Sequence, residues 1–370
     1  MPPHLGGIEL IAEVLRRAYL AAGCEVRWVA SRVPPTLPHD EDGRIRVGCC
    51  NVLEQRFGIP WPVWGVEGIR EVARLVRWAD VLHVHDCLYF SSLIASIVAH
   101  RCRKPLVLSQ HIGFVQYRSP ILRGTEDLAY QIIGRFVLHR VSQLVFCTTA
   151  AETYLTTLLG IRPPTAITIP YGIDLARFVI PSAQQRVEAR HHFSLPESGP
   201  IILFAGRFVE KKGIDLVMEV SRRLPSFHFF LVGDGPRRPA TSPNVTWVPF
   251  VPQALMPTVY YAADTLLLPS HGEGMPLTIL EAMATGLPVV TSRGELFAIQ
   301  LERSGACLAV ERQSEALCEA LERLWQDPQL AEQLRVEGRS LVEREWSLEV
   351  MTQRYLQLLR DVVRMQRQVV

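Results

Sequence analysis

Thr265-Leu266-Leu267-Leu268-Pro269-Ser270-His271-Gly272-Glu273-Gly274-Met275-Pro276-Leu277-Thr278-Ile279-Leu280-Glu281-Ala282-Met283-Ala284-Thr285-Gly286-Leu287-Pro288-Val289-Val290-Thr291 reads as strand, turn, helix, strand. The short apolar run at each end suits a buried strand. Gly272 and Gly274 flank Glu273 and permit a tight, open turn. Pro276 suits the first turn of a helix, where its missing N–H is not needed. Gly286 ends the helix and Pro288 prevents its continuation. The spacing predicts a helix over 276–285 between two parallel strands, the unit of a sheet covered on both faces.

The same alternation extends in both directions. Strands are expected at Ile201–Ala205, Phe227–Val232, Val245–Val248, Thr265–Leu268, Val289–Thr291 and Cys307–Val310, with helical periodicity between most of them. Before them, Ile180–Gly199 is polar and reads as a linker with a short helix. Upstream, strands are expected at Glu25–Ala30, Val81–Val84, Pro105–Ser109, Leu144–Cys147 and Ala166–Ile169. Helices fill the gaps at Ile8–Ala22, Glu67–Trp78, Ser91–His100, Glu126–Arg140 and Ala150–Leu159. The fold class is α/β: two doubly wound, Rossmann-like domains, 1–179 and 180–347, facing each other across a cleft. A tail helix over 348–370 is expected to cross back to the first domain. Ligands of open α/β sheets bind at the strand C-terminal ends, so function is expected there.

The 276–285 helix presents its N-terminus to that cleft. Its unpaired N–H groups and partial positive charge suit a phosphate or pyrophosphate. The amides of Met275, Leu277 and Thr278 can donate to it. Glu273 before the helix and Glu281 inside it are carboxylates that accept hydrogen bonds from vicinal hydroxyls. At this separation they can hold two sugars either side of a pyrophosphate, although acids near helix N-termini are also common for stability alone.

Composition narrows the classes. Of 370 residues, 48% are hydrophobic and 21% charged, a balance that argues against disorder. Lys plus Arg is 39 against Asp plus Glu 37, so bulk charge does not hold this chain to nucleic acid. All basic residues but Lys104, Lys211 and Lys212 are arginines. Eight cysteines without a C-x-x-C argue against a disulfide framework or zinc site and fit a reduced, cytoplasmic compartment. No apolar run reaches the length of a membrane span. There is no G-x-G-x-x-G after a strand, no G-x-S-x-G and no Walker pattern.

The frame E-G-M-P-x-x-x-x-E-A-M-A-x-G-x-P-V-V closely resembles the retaining glycosyltransferases of the GT-B fold, family four. Other segments match that family in order. They are Pro2-Pro3-His4-Leu5-Gly6-Gly7-Ile8-Glu9 (a glycine loop), Asp80-Val81-Leu82-His83-Val84-His85, and Ile169-Pro170-Tyr171-Gly172-Ile173-Asp174 with Phe178. Gly206-Arg207 with Lys212-Gly213, and Leu231-Val232-Gly233-Asp234-Gly235-Pro236, follow. The resemblance covers nearly the whole chain. It implies transfer of a sugar from a nucleoside-diphosphate sugar to a hydroxyl of a glycan or lipid-linked acceptor. The anomeric configuration is retained and neither metal nor other cofactor is needed, the sugar nucleotide being a co-substrate.

The resemblance also implies roles. Arg207 and Lys212 face the charge that builds on the departing diphosphate. Glu281 holds the nucleotide ribose. Glu273 contacts the transferred sugar and steadies positive character at its anomeric carbon. Gly7 lets backbone approach the diphosphate or sugar. His111, after Leu108-Ser109-Gln110, is the donor-sugar histidine, while His83 and His85 read mainly as structural. Alternatives within the fold are a sugar-nucleotide epimerase or hydrolase, disfavoured by the Glu273/Glu281 and Arg207/Lys212 sets, and a catalytically impaired scaffold.

Two departures stand out. Tyr171 replaces the usual Asn. The family also has a strand before the glycine loop, for which there is no room here, so the natural start is expected about ten residues upstream. Asp40-Glu41-Asp42 is formally D-x-D, but its setting predicts a solvated polar loop rather than a metal site. Residues 114–140 mix aromatic and aliphatic residues with Arg118, Arg123, Arg135 and Arg140. They fit either a buried helix whose arginines reach water or a segment resting on an anionic membrane surface.

Overall fold

The computed structural model describes residues 7–32, 40–50, 62–111, 120–160, 166–271, 274–294 and 296–369. Contacts divide the chain into two units: Met1–Pro170 with Met351–Val370, and Tyr171–Val350.

In the first unit the helix Gly7–Ala21 is followed by β1 (Trp28–Ser31), β2 (Asp40–Glu41), β3 (Arg44–Val47), β4 (Cys49–Cys50) and β5 (Val63–Trp64). Next come the helix Val66–Trp78, β6 (Leu82–His85), the helix Phe90–Arg101 and β7 (Leu106–Gln110). A helical stretch over 120–138, β8 (Gln143–Phe146), the helix Thr149–Leu159 and β9 (Ala166–Thr168) complete the run. β6-β7-β8-β9 form a parallel sheet. β7 and β8 are buried throughout, as continuous apolar strands require.

Among the described residues β1 does not join that sheet. It heads a separate one, β1-β3-β2, in which β1 and β3 are parallel and β2 and β3 antiparallel. Asp40-Glu41 is thus the edge strand of a hairpin and not an open loop. Asp42 (φ 51°) and Gly43 (φ 70°) form its two-residue turn, an Asp-Gly signal that the sequence reading passed over. The helix Gly7–Ala21 is tied to both sheets. Glu13 binds Arg44 at 2.9 Å and Arg16 binds Asp42 at 3.2 Å, while the Tyr19 hydroxyl lies 3.1 Å from His83 Nδ1 on β6.

The expected helix Glu126–Arg140 is not continuous. Pro120–Ala129 runs into a π-helical turn, Tyr130–Gly134, and then Arg135–Leu138. Gly134 packs against Tyr130 and Cys87, where an added Cβ would meet Tyr130 Cδ1 at 3.2 Å. One face buries Tyr130, Val137 and Leu138, whereas Leu128 and Ile132 are 57% and 62% exposed.

The second unit is one parallel six-stranded sheet: β10 (Ile201–Ala205), β11 (His228–Val232), β12 (Val245–Val248), β13 (Thr265–Leu268), β14 (Val289–Ser292) and β15 (Leu308–Val310). Their order is β12-β11-β10-β13-β14-β15, so the sheet reverses direction of growth between β10 and β13. Helices Ile214–Arg223, Leu277–Ala284, Ser314–Gln326 and Pro328–Glu345 pack into one core around Phe204, Phe229, Phe230, Leu280 and Leu321. The helix Ala183–His192 sits where the linker with a short helix was expected, opened by a reciprocal Ser182–Gln185 capping box. A last helix, Leu348–Val369, begins in the second unit and lies mostly in the first.

Candidate functional site

In a doubly wound sheet the crevice opens where strand order reverses, outside the strand carboxyl ends. In the second unit that point lies between β10 and β13. β10 runs out into Gly206 and Arg207, and β13 into Pro269, Ser270 and His271. These turns are pressed together. A Cβ on Gly213 (φ 81°) would sit 2.4 Å from the Pro269 carbonyl oxygen, and one on Gly233 (φ 133°) 2.0 Å from that of Gly206. No side chain fits at either position. The His271 N–H donates to the Lys211 carbonyl at 2.8 Å, and Arg312 Nε to the Pro269 carbonyl at 2.9 Å. The Lys212 stem lies beside Gly206, where an added Cβ would come within 3.9 Å of its Cδ and Cε. Arg207 is exposed on the adjoining turn. The structure therefore brings Arg207 and Lys212 to one crest, at the carboxyl end of the sheet.

The helix after β13 starts one residue later than expected, at Leu277, with Pro276 extended before it. Pro276 is therefore the N-cap and not the first helical residue. Its carbonyl accepts the Ile279 N–H at 3.0 Å, and the amides of Leu277 and Thr278 open the helix. The Thr278 hydroxyl is buried without a hydrogen-bond partner among the described residues. Met275 is buried and Gly274 half-buried. Gly272 and Glu273 lie outside the described residues, so Glu273 is not placed.

Glu281 is only 7% exposed. The Tyr260 hydroxyl donates to its Oε2 at 2.5 Å. Removal from water pushes its carboxyl up to about 7, against the opposing pull of the Tyr260 hydrogen bond and the Arg177 charge. The carboxyl is thus poised near neutrality, an environment that is common in functional sites. Tyr260 and Arg177 were not singled out from sequence. Tyr260 lies in no motif and Arg177 only borders Phe178 of one, and only the tertiary fold brings them to residue 281.

In the first unit Gly7 begins the opening helix, and the loop before it lies outside the described residues. His111 follows β7 directly. Its Nε2 lies 2.8 Å from His85 Nδ1 and its Nδ1 lies 3.3 Å from Cys147 Sγ. His83 lies 2.8 Å from Ser109 Oγ. Removal from water lowers all three imidazoles, His85 to about 4, and neighbouring histidines lower His83 and His111 further. His85 was expected to be mainly structural, yet it pairs directly with the candidate His111. Among the described residues no three His, Cys, Asp or Glu side chains converge as a metal site.

Comparison with known proteins gives the class. Residues 5–177 match the Glycosyltransferase Family 4 profile, and residues 199–327 match Glycosyl transferases group 1. The chain is 26% identical over 367 residues to the D-inositol 3-phosphate glycosyltransferase of Jonesia denitrificans, covering 90% of this chain and 86% of that protein. It is 27% identical over 244 residues to the enzyme of that name from Segniliparus rotundus, covering 61% of this chain but only 54% of that protein. Among solved structures, Anabaena Alr3699/HepE in complex with UDP-glucose superposes with a TM-score of 0.74, at 17% identity and 97% coverage of both chains. That likeness shows the GT-B fold. The chain belongs to glycosyltransferase family 4, group 1, a family of retaining hexosyltransferases that take a sugar from a nucleotide sugar.

Proposed function

We propose that this enzyme transfers a hexosyl group from a nucleoside-diphosphate sugar, with retention and without a metal ion, to a hydroxyl of a glycan or lipid-linked acceptor. The observation that carries the reading is the switch point of the second sheet. Arg207 and Lys212 lie on the turns after β10, and the Leu277–Ala284 helix, which carries buried Glu281, follows β13, the strand paired with β10. Cations and helix amides suit a diphosphate whose negative charge grows as the sugar departs. A carboxylate one turn inside the helix suits ribose hydroxyls. In this reading Glu273 contacts the transferred sugar, and His111 and Gly7 are further residues assigned to it. UDP is the first nucleoside diphosphate to try, because the Anabaena protein of the same fold was solved with UDP-glucose.

The test is calorimetric titration with UDP, GDP and ADP in EDTA, on wild type and Glu281→Ala. Tight binding of one diphosphate, lost in the variant, is the expected result. Binding that appears only when a divalent cation is added back would overturn the metal-independent reading.

A lipid-linked acceptor draws support from the exposed apolar pair Leu128 and Ile132, one turn apart, with exposed Arg135 and His139 continuing the same face. Among the described residues no helix is long and apolar enough to cross a membrane. Sedimentation with anionic vesicles, reduced in Ile132→Glu, is the expected behaviour.

A further inference from the structure

Three adjacent parallel strand ends in the first unit carry His85, His111 and Cys147, and their side chains form one continuous line. The His85 and His111 rings stack with centroids 5.1 Å apart and planes 30° from parallel. Cys147 is buried. The strand ends are clasped right beside the rings. Asp86, the residue after His85, is buried and holds a left-handed φ of 63°. It accepts a hydrogen bond from Gln110 Nε2 at 2.9 Å, while Gln110 Oε1 accepts the Cys87 N–H at 3.1 Å. Gln110 immediately precedes His111. Left-handed backbone at a non-glycine residue costs free energy that the surroundings must offset, and this two-point clasp does so at the place that sets the spacing of the two imidazoles.

Both ring nitrogens of His111 are engaged. A neutral imidazole has one donor and one acceptor nitrogen, so one neighbour must give a proton bond and the other receive one. A thiol sulfur accepts weakly, whereas an imidazole lone pair accepts well, which sets the direction. Cys147 S–H donates to Nδ1 of His111, Nε2–H of His111 donates to Nδ1 of His85, and His85 keeps its own proton on Nε2. We propose that Cys147 and His85 are positioning residues that fix His111 as its Nε2–H tautomer, with the proton of His85 on its own Nε2. Burial keeps these rings neutral, and the groups around them are His83 at 4.6 Å from His85, with Tyr19 and Tyr355 beside His83. The functional half of this inference rests on the reading that His111 serves the transferred sugar.

The test is nitrogen-15 NMR of the imidazoles in histidine-labelled protein, with His111 assigned by His111→Gln. The wild type should show the Nε2–H form. Cys147→Ser should keep it, because a hydroxyl also donates, and Cys147→Ala should shift His111 toward a mixture of tautomers. In turnover of the sugar nucleotide, Cys147→Ala should lower kcat about tenfold or more with donor KM little changed, and Cys147→Ser should restore it. His85→Gln should behave like Cys147→Ala. A His111 found as Nδ1–H in wild type, or unmoved in Cys147→Ala, would overturn the proposal. So would equal kcat in the Ala and Ser variants. Diphosphate binding, assigned to the second unit, is measured separately. Its absence in wild type would count against the donor site while leaving the tautomer result standing.

Discussion

The hydroxyl of Tyr355 lies 2.8 Å from that of Ser109, across 246 positions of sequence. Both side chains are buried, and Ser109 Oγ also meets His83 Nε2 at 2.8 Å. The bond fastens the C-terminal helix to β7, one residue pair from the His85–His111 line. Tyr355→Phe should lower the stability of the first unit by about 1 kcal/mol, the ordinary net worth of one hydrogen bond. Tyr355→Ala should cost about 3–5 kcal/mol, since it empties a large buried site. Urea unfolding followed by hydrogen exchange, which resolves the two units, checks both.

Glu281 should make donor binding pH-dependent. Its carboxyl is neutral below about 7, and hydroxyls of a bound ribose donate best to the ionised form. Affinity for the nucleoside diphosphate should therefore fall as pH drops through that point, by up to tenfold per pH unit. Stability should move oppositely. A carboxyl whose folded pKa is raised binds its proton more tightly when folded. Its cost is absent below the ordinary value of 4.5, grows up to about 7 and is full above that. It amounts to roughly 3 kcal/mol. Glu281→Gln should thus raise Tm at alkaline pH while weakening binding. Tm and affinity measured at matched pH decide it.

Glu13 carries the reverse sign. Burial works against its charge, but hydrogen bonds from Arg16, Arg17 and Arg44 prevail and hold it at about 2. The stability it contributes is present above 4.5 and is lost as pH falls toward about 2. His85, lowered by burial to about 4, adds an earlier loss from 6.5 downward. Acid unfolding should therefore begin in the first unit. Glu13→Gln should flatten its lower limb.

Gly233→Ala should destabilise the turn that carries Arg207. The new Cβ would stand 2.0 Å from the Gly206 carbonyl, at a φ of 133°. A loss of about 2–4 kcal/mol is expected, with a larger relative loss of kcat than Arg207→Lys produces. Comparing stability and turnover in the two variants separates a displaced turn from a missing charge.

On the proposed roles, Arg207→Ala and Lys212→Ala should each lower kcat about a hundredfold or more, because the diphosphate they would face gains negative charge as the sugar leaves. Binding of the free diphosphate, which carries that charge in full, should weaken too, whereas binding of the uncharged nucleoside should not. Steady-state kinetics beside calorimetry reads the difference.

The strand-helix alternation, the six strands of the second unit and the helix ended by Gly286 and Pro288 were legible in the chain itself. They rest on local causes: apolar periodicity, and the backbone freedom or restriction of glycine and proline, which act within a few residues. The positions of Arg207, Lys212 and Glu281 on turns and a helix start followed from the same local reading. The hairpin at Asp42-Gly43 was also written locally, but the charged strand before it concealed it. What only the tertiary structure decided is who meets whom. Tyr260 bonded to Glu281, Gln110 clasped to Asp86, the line from Cys147 through His111 to His85, and Tyr355 on Ser109 all join residues from separate elements. Their protonation depends on burial and on partners brought by the packing of whole strands and helices, and no local pattern of sequence encodes that environment.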